Sequence, residues 1–189
     1  LMEEIKGHPR LHPCWVLLPT TGEMAAPGEL VREMKAQGVR AARVFPNLHR
    51  YQFAEANVGD LLAALEEASV PLFVDFGITH WAHDKIDWQT MDEVCSRYPR
   101  LPFIVVGEGI GAPRFLFPLW SRHPNLYLET SYYQVHQGLS EVARRFGAQR
   151  LLFGTGLPLR APGPPLTQLH YDFLTDEERA AIGGRNLRG

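Results

Sequence analysis

Short apolar runs alternate with amphipathic segments along almost the whole chain. Each run is nearly continuous in hydrophobic residues, which is typical of a strand in a parallel sheet that is covered on both faces. The predicted strands lie within residues 11–19, 39–46, 70–77, 101–109, 125–131 and 150–156.

The segments between these runs have helical periodicity. In the first of them Leu30, Val31 and Met34 share one face, and Gly38 is a natural end for the helix. Near the end of the chain Thr175 and Glu178 form the spacing of a capping box. The predicted helices are 28–38, 59–69, 88–99, 112–124, 138–147 and 174–182, and the proline-rich stretch 158–165 is predicted to be a loop.

This alternation repeats at intervals of roughly 25 to 30 residues, as in βα units. It predicts an α/β fold in which a parallel sheet is either open or closed into a (β/α)8 TIM barrel, with neighbouring strands in chain order and helices outside. No internal linker or low-complexity stretch divides the chain, so we expect a single domain over residues 1–189. The first ten residues have the pattern of a helix already under way, as though the chain began inside the domain.

Composition narrows the class of protein only a little. Hydrophobic residues make up 45% of the chain, charged residues 21%, and the net charge is -2. This balance gives no reason to expect nucleic acid or an acidic membrane surface as a partner. No run of about 18 apolar residues predicts a membrane span. The two cysteines, Cys14 and Cys95, have no metal-binding or redox spacing, which favours a reduced, cytoplasmic setting.

The order and the sequences of the strand segments resemble those of the amidohydrolase-related family, also called the amidohydrolase 2 family. Its members are (β/α)8 barrels that use a divalent metal for hydrolysis or decarboxylation. The segments similar to the family's third to eighth strands and its closing motif are "HPRLHPCWVLLP", "AQGVRAARVFP", "VPLFVDF", "PRLPFIVVGEG", "HPNLYLETS", "RLLFGTGLP" and "IGGRNLRG". The resemblance covers nearly the whole chain, but the first two strands have no counterpart in it.

The resemblance implies that the metal ligands of the family are replaced in this chain. The HxH motif of the first strand is absent, and the fifth-strand histidine position falls at about Asp75. The sixth-strand histidine position falls at Gly107 or Glu108, and the eighth-strand aspartate position falls at Gly156, which has no ligand atom. Zinc is the default that the resemblance implies. From this chain alone we predict no metal ligand, no tetrahedral zinc site and no other cofactor.

Polar residues at the carboxyl ends of barrel strands face the mouth of the barrel, where the active site of such enzymes lies. We therefore predict Asp75 and Glu108 as catalytic acid and base. The candidate substrate-binding residues are Arg43, His49, His80, Glu129, Tyr132 and Thr155. Two other interpretations of the acidic residues stay open. Each acid could cap the following helix or pair with an arginine such as Arg43, or a carboxylate cluster could bind a hard cation.

The loop after the predicted strand 70–77 also has an alternative. His80 and His83 form an H-x-x-H spacing followed by Asp84, which could ligate zinc if the loop folded over the mouth. Solvated histidines in a surface loop are the other interpretation.

Together these features predict an amidohydrolase-like hydrolase or decarboxylase of a small carbonyl or carboxylate compound, with a degenerate metal site. A metal-free acid/base enzyme on the same scaffold and a non-catalytic barrel that binds a small molecule or a partner subunit are the alternatives. We expect a small-molecule substrate, and homo-oligomerisation is left open.

One geometric prediction follows from the sequence. Asp75 and Glu108 each end an apolar run at an equivalent point, in "VDFG" and "VGEG". Adjacent parallel strands lie about 4.8 Å apart, so the two carboxylates are expected to face each other in one cleft. Such proximity should raise the proton affinity of one of them unless a cation sits between.

Overall fold

A computed structural model of the protein describes residues 2–19, 22–77, 86–109 and 111–188. The chain divides into two compact units, residues 1–103 and 104–189, and the division falls inside one strand.

Six short strands form a sheet whose order is that of the chain. The pairings of β1 with β2, β2 with β3, and β5 with β6 are parallel. The strands are β1 (Cys14–Val16), β2 (Ala41–Val44), β3 (Leu72–Asp75), β4 (Phe103–Val106), β5 (Leu126–Glu129) and β6 (Leu151–Leu152). This topology confirms the predicted α/β fold of the TIM-barrel type.

Helices follow the strands along the chain. The helices of the first unit are α1 (Met2–Ile5), α2 (Pro27–Ala36), α3 (Glu55–Ala68) and α4 (Trp88–Arg97). Those of the second unit are α5 (Pro113–Trp120), α6 (Gly138–Phe146), α7 (Gly163–Tyr171), α8 (Asp176–Ala180) and α9 (Asn186–Arg188). None of the helices in the described part of the chain is long and apolar enough to cross a bilayer.

Each unit buries its own apolar residues between strands and helices. In the first unit Leu62 and Leu65 of α3, together with Leu72 and Val74 of β3, are fully buried. The second unit has an equivalent core. Its fully buried side chains include Leu116, Leu126, Leu128, Val142 and Leu151. The predicted alternation of apolar strands and amphipathic helices is thus the pattern that fills both cores.

Several helix boundaries differ from the prediction. Helix α5 ends at Trp120, four residues before the predicted end at position 124. Helix α3 begins at Glu55, four residues before the predicted start at position 59. Helix α7 begins at Gly163, so the predicted loop 158–165 is wrong over its last three residues. Proline fits the first turn of a helix because the amide hydrogens there have no partner within the helix. The prolines of this stretch therefore open a helix and do not prevent one. The predicted capping box of Thr175 and Glu178 is present at α8.

A half-buried arginine organises the backbone before β6. The Arg150 guanidinium donates hydrogen bonds to four carbonyl oxygens, which are those of Trp120, His123, Pro124 and Leu126, at 2.7 to 3.3 Å. Burial lowers the pKa of Arg150, since the charged form loses hydration. The carbonyl oxygens compensate that loss and join the end of α5 to β5 and β6.

Replacing Arg150 with methionine should lower the free energy of unfolding by about 2 kcal/mol or more, because four carbonyl oxygens lose a charged donor. Denaturant unfolding of the purified chain measures this. Arg114→Met, at an exposed arginine of α5, is the control and should change the same quantity by less than about 0.5 kcal/mol. Equal effects of the two substitutions would contradict the role given to Arg150.

Candidate functional site

In the first unit an ion pair joins the ends of β2 and β3. Arg43 of β2 lies beside Phe73 of β3 in the parallel register, and Asp75 follows two residues later on the same face. The Arg43 guanidinium donates to the carboxylate of Asp75, which also accepts a 2.8 Å hydrogen bond from the amide of Gly77. Asp75 is buried, so this pairing satisfies a charge that is largely removed from water.

Aromatic and polar residues surround this ion pair. The Arg43 guanidinium lies 5.0 Å from the ring centroid of Phe45, and that ring meets the imidazole of His49 edge-on at 5.8 Å. Asn47 donates a 2.7 Å hydrogen bond to the carbonyl oxygen of Phe76. Burial raises the pKa of the Cys14 thiol, and the nearby Arg43 charge partly offsets this. His49 is exposed, and the ring of Phe45 that it contacts lies beside the Arg43 guanidinium group.

In the second unit Glu108 follows β4 by two residues. The residue is half-buried, and burial raises the pKa of its carboxyl group, while a hydrogen bond from the Gly109 amide opposes that shift. Within the residues that the structure describes, no lysine, arginine or histidine forms a salt bridge with it. A carboxyl group in this state retains its proton to higher pH than an exposed glutamate does.

Glu129, the last residue of β5, bends back onto its own chain. Its carboxylate accepts hydrogen bonds from the amide and the hydroxyl group of Ser131, at 3.0 and 2.6 Å. A methyl group at Gly154 would come within 1.3 Å of the Glu129 carboxylate. Glycine at position 154 therefore leaves the space that this carboxylate occupies, in the turn after β6.

The three loops that follow β4, β5 and β6 meet around Tyr132. A Cβ atom at Gly109 would lie 3.4 Å from the ring of Tyr132, in ordinary contact. The Arg160 guanidinium carbon lies 3.5 Å from the centroid of the same ring. A Cβ atom at Gly156 would come within 2.8 Å of Arg160 Cδ. The side chain of Arg160 therefore lies between a glycine backbone and an aromatic ring.

The structure brings some predicted site residues together and leaves others apart or undescribed. Arg43 and Asp75 are in direct contact, which agrees with the alternative interpretation that an acid pairs with Arg43. Thr155 accepts a 3.3 Å hydrogen bond from the amide of Leu157, in the turn after β6. His80, with the H-x-x-H spacing, lies outside the described residues. Asp75 and Glu108 belong to different units, so their predicted approach stays a prediction.

Arg160 and Ser131 are two members of these clusters that sequence reasoning missed. Arg160 sits in the stretch predicted as a plain loop, and Ser131 ends the fifth apolar run. The available signal was weak: a short polar residue two positions after a strand-end acid often hydrogen-bonds to it locally. Nothing in the sequence pattern links Arg160 to Tyr132, 28 positions earlier.

A parallel sheet with helices between its strands and acids at the strand ends is the architecture of TIM-barrel enzymes. The family model described as amidohydrolase, of the amidohydrolase 2 type, matches residues 1–186. The chain therefore belongs to the amidohydrolase family, as the resemblance implied.

Solved structures with this fold include proteins of several activities. An uncharacterised TIM-barrel protein from Bordetella bronchiseptica is 19% identical, with a TM-score of 0.79 over 99% of this chain and 69% of its own. A 2,6-dihydroxybenzoate decarboxylase from Rhizobium is 19% identical, with a TM-score of 0.67 over 99% of this chain and 73% of its own. A 5-carboxyvanillate decarboxylase from Sphingomonas paucimobilis is 13% identical, with a TM-score of 0.72 over 98% of this chain and 68% of its own. No match to a curated protein is found.

The residues near Gly156 do not fit the divalent metal that the family implies. Gly156 stands where the resemblance places an aspartate ligand, and the space beside it is filled by the Arg160 side chain. A guanidinium group is a poor neighbour for a metal ion because both are cations. Among the residues described, no group of three histidine, cysteine or carboxylate side chains could hold a metal. We therefore derive no chemical step through a metal.

The raised pKa of Glu108 predicts the sign of a pH effect. The folded chain binds this proton more tightly than the unfolded chain does. Stability should therefore fall as the pH rises from the ordinary carboxyl pKa of 4.5 through the raised value. Glu108→Gln removes this loss, so its Tm relative to wild type should increase between about pH 3.5 and about pH 8.

Glu141→Gln serves as a control of opposite sign. The hydrogen bond from Arg144 lowers the pKa of Glu141, so the stabilisation by this carboxylate is present above its ordinary pKa and is lost at lower pH. The Tm of this variant relative to wild type should therefore decrease over the same rise in pH. A Tm difference for Glu108→Gln that is constant with pH would contradict the assignment.

Proposed function

We propose that this protein is a hydrolase or decarboxylase that acts on a small carbonyl or carboxylate compound by carboxylic acid/base chemistry. Family membership supports the reaction class. Structural neighbours that are named as decarboxylases of 2,6-dihydroxybenzoate and 5-carboxyvanillate support the substrate class. A small-molecule substrate and a cytoplasmic setting belong to the same proposal, and Cys14 and Cys95 are free thiols, as a reducing compartment permits.

The state of Glu108 is the observation that carries this proposal. Asp75 is ion-paired with Arg43, and Glu129 is hydrogen-bonded to Ser131. Glu108 has neither kind of side-chain partner among the described residues, and burial raises its pKa. A half-buried carboxyl group whose pKa is raised by burial, near the carboxyl end of a strand, is suited to act as a general acid.

Both reaction classes require a proton at the same stage. In decarboxylation the carbon that loses carbon dioxide takes up a proton, and in hydrolysis the leaving group takes one. Glu108 would supply that proton from its carboxyl group and become a carboxylate, which water then reprotonates. Asp75, whose carboxylate is held by Arg43, is the proposed base. His49, His80, Glu129, Tyr132 and Thr155 remain proposed substrate contacts.

The test is turnover of defined compounds by the purified chain. We expect release of carbon dioxide from 2,6-dihydroxybenzoate or 5-carboxyvanillate, or hydrolysis of p-nitrophenyl acetate. Glu108→Gln should lower kcat by about 100-fold or more, since a positioned general acid contributes at least that much. In the wild type kcat should fall as the pH rises through the pKa of Glu108, and this limb should disappear in the variant.

Asp75→Asn tests the second acid, and Glu67→Gln, at an exposed position of α3, is the matched control that should leave kcat unchanged. Circular dichroism confirms that each variant is folded. If Glu108→Gln and Asp75→Asn are both folded and fully active, the proposed catalytic roles are wrong. If the wild type turns over none of the compounds but binds one of them, the protein is a binding barrel and the enzymatic proposal fails.

A further inference from the structure

We propose that Arg160, held on the ring of Tyr132, is a binding site for the carboxylate of a small organic acid. This inference rests on the proposed function and deepens it, because it names the charge that the substrate carries and the residue that recognises it. Arg160 and Tyr132 together form what we call the Arg–Tyr site.

Backbone and aromatic contacts hold the guanidinium in place. Its carbon atom is 3.5 Å from the Tyr132 ring centroid, which is within cation–π range. The methylene groups of Arg160 pack over Gly156, where a Cβ atom would lie 2.8 to 3.3 Å from three of its carbons. The Gly109 backbone lies in contact with Tyr132. A cation held by these contacts loses little conformational freedom when it binds an anion.

Two other arginines lie over rings in the described parts of the two units, and both have an acidic partner. Arg43, over Phe45, is ion-paired with Asp75. Arg145, over Phe117, is ion-paired with Glu141. Arg160 has no such carboxylate partner in the described part of the chain, because none lies within salt-bridge distance of it. Its charge is therefore available to an external anion.

The surroundings favour a carboxylate as that anion. A guanidinium group binds a carboxylate through two parallel hydrogen bonds, and the aromatic face beside it suits an apolar or aromatic body on the same molecule. The loop that packs against Tyr132 also contains Glu108, the residue proposed as the general acid. A compound whose carboxylate is bound by Arg160 would thus lie beside the loop that supplies the proton.

Glycine at position 156 keeps this charge available. An aspartate there, as the resemblance places in the family, would displace the Arg160 side chain from its present position and put a carboxylate beside the guanidinium group. Glycine at this position thus leaves a cation that can bind an anionic substrate.

Equilibrium binding of benzoate, measured by isothermal titration calorimetry on the full chain, tests the proposal. Benzoate should bind the wild type, and its neutral isostere benzamide should bind at least about tenfold more weakly. Arg160→Gln should weaken benzoate binding about tenfold or more. Tyr132→Phe should retain binding, because the ring face and not the hydroxyl group contacts the guanidinium, whereas Tyr132→Leu should lose most of it.

Two further variants keep the test decisive. Arg145→Gln removes an arginine that also lies over a ring but is paired with Glu141, so it should bind benzoate as the wild type does. Gly156→Asp keeps the arginine at position 160, but its Cβ atom displaces the Arg160 side chain and its carboxylate competes for the guanidinium group. It should therefore reproduce the loss seen in Arg160→Gln even if that variant folds poorly. The φ of 72° at position 156 strains any residue with a side chain, and aspartate is among the residues that adopt such a conformation most often.

The failure of this inference can be told apart from failure of the proposed function. Binding is measured without turnover, and Glu108→Gln should still bind benzoate whether or not the wild type is active. Benzoate affinity that is unchanged in both Arg160→Gln and Gly156→Asp would overturn the Arg–Tyr site. An equal loss in Arg145→Gln would also overturn it, since binding would then follow the general charge of the chain. Loss confined to the variants of the Arg–Tyr site, in a protein without turnover, would support the site and reject the catalytic proposal.

Discussion

A charge that is partly removed from water needs a compensating interaction, and the strand ends of this protein are organised by that requirement. Asp75 is compensated by an ion pair with Arg43, and Glu129 by the amide and hydroxyl group of Ser131. Glu108 has no such side-chain partner in the described chain, and its compensation is a raised pKa. Arg160 is stabilised by the face of an aromatic ring. These four charged residues therefore have four different kinds of partner or environment.

Glycine at two positions after β6 makes two of these arrangements sterically feasible. The Glu129 carboxylate occupies space that any side chain at Gly154 would fill, and the Arg160 side chain does the same beside Gly156. Both glycines lie in the turn where the family fold places part of its active site. The absence of a side chain here has a structural role, because it lets charged groups from neighbouring elements approach the backbone.

Family membership and local chemistry give different information about this protein. The amidohydrolase scaffold predicts a mouth at the carboxyl ends of the strands, and it predicts hydrolysis or decarboxylation as reaction classes. The residues beside Gly156 do not suit the metal that such reactions commonly use. An arginine and a partly buried carboxyl group lie in loops that touch each other through Tyr132. This arrangement is the basis for our proposal that Arg160 binds an acidic substrate and that Glu108 supplies a proton.

The sequence alone determined the fold, because apolar runs such as 70–77 and 101–109 and the helical stripe of Leu30, Val31 and Met34 depend on local periodicity. It also located Asp75, Glu108 and Glu129 at strand ends, since chain order places them there. It did not predict helix α7, because prolines suit both a loop and a first helical turn. The state of each acid and the position of Arg160 on Tyr132 were decided only by tertiary structure. The contacts of Asp75 with Arg43 and of Arg160 with Tyr132 join residues about 30 positions apart. The contact of Glu129 with Ser131 is local, but it depends on a side-chain direction that periodicity does not encode.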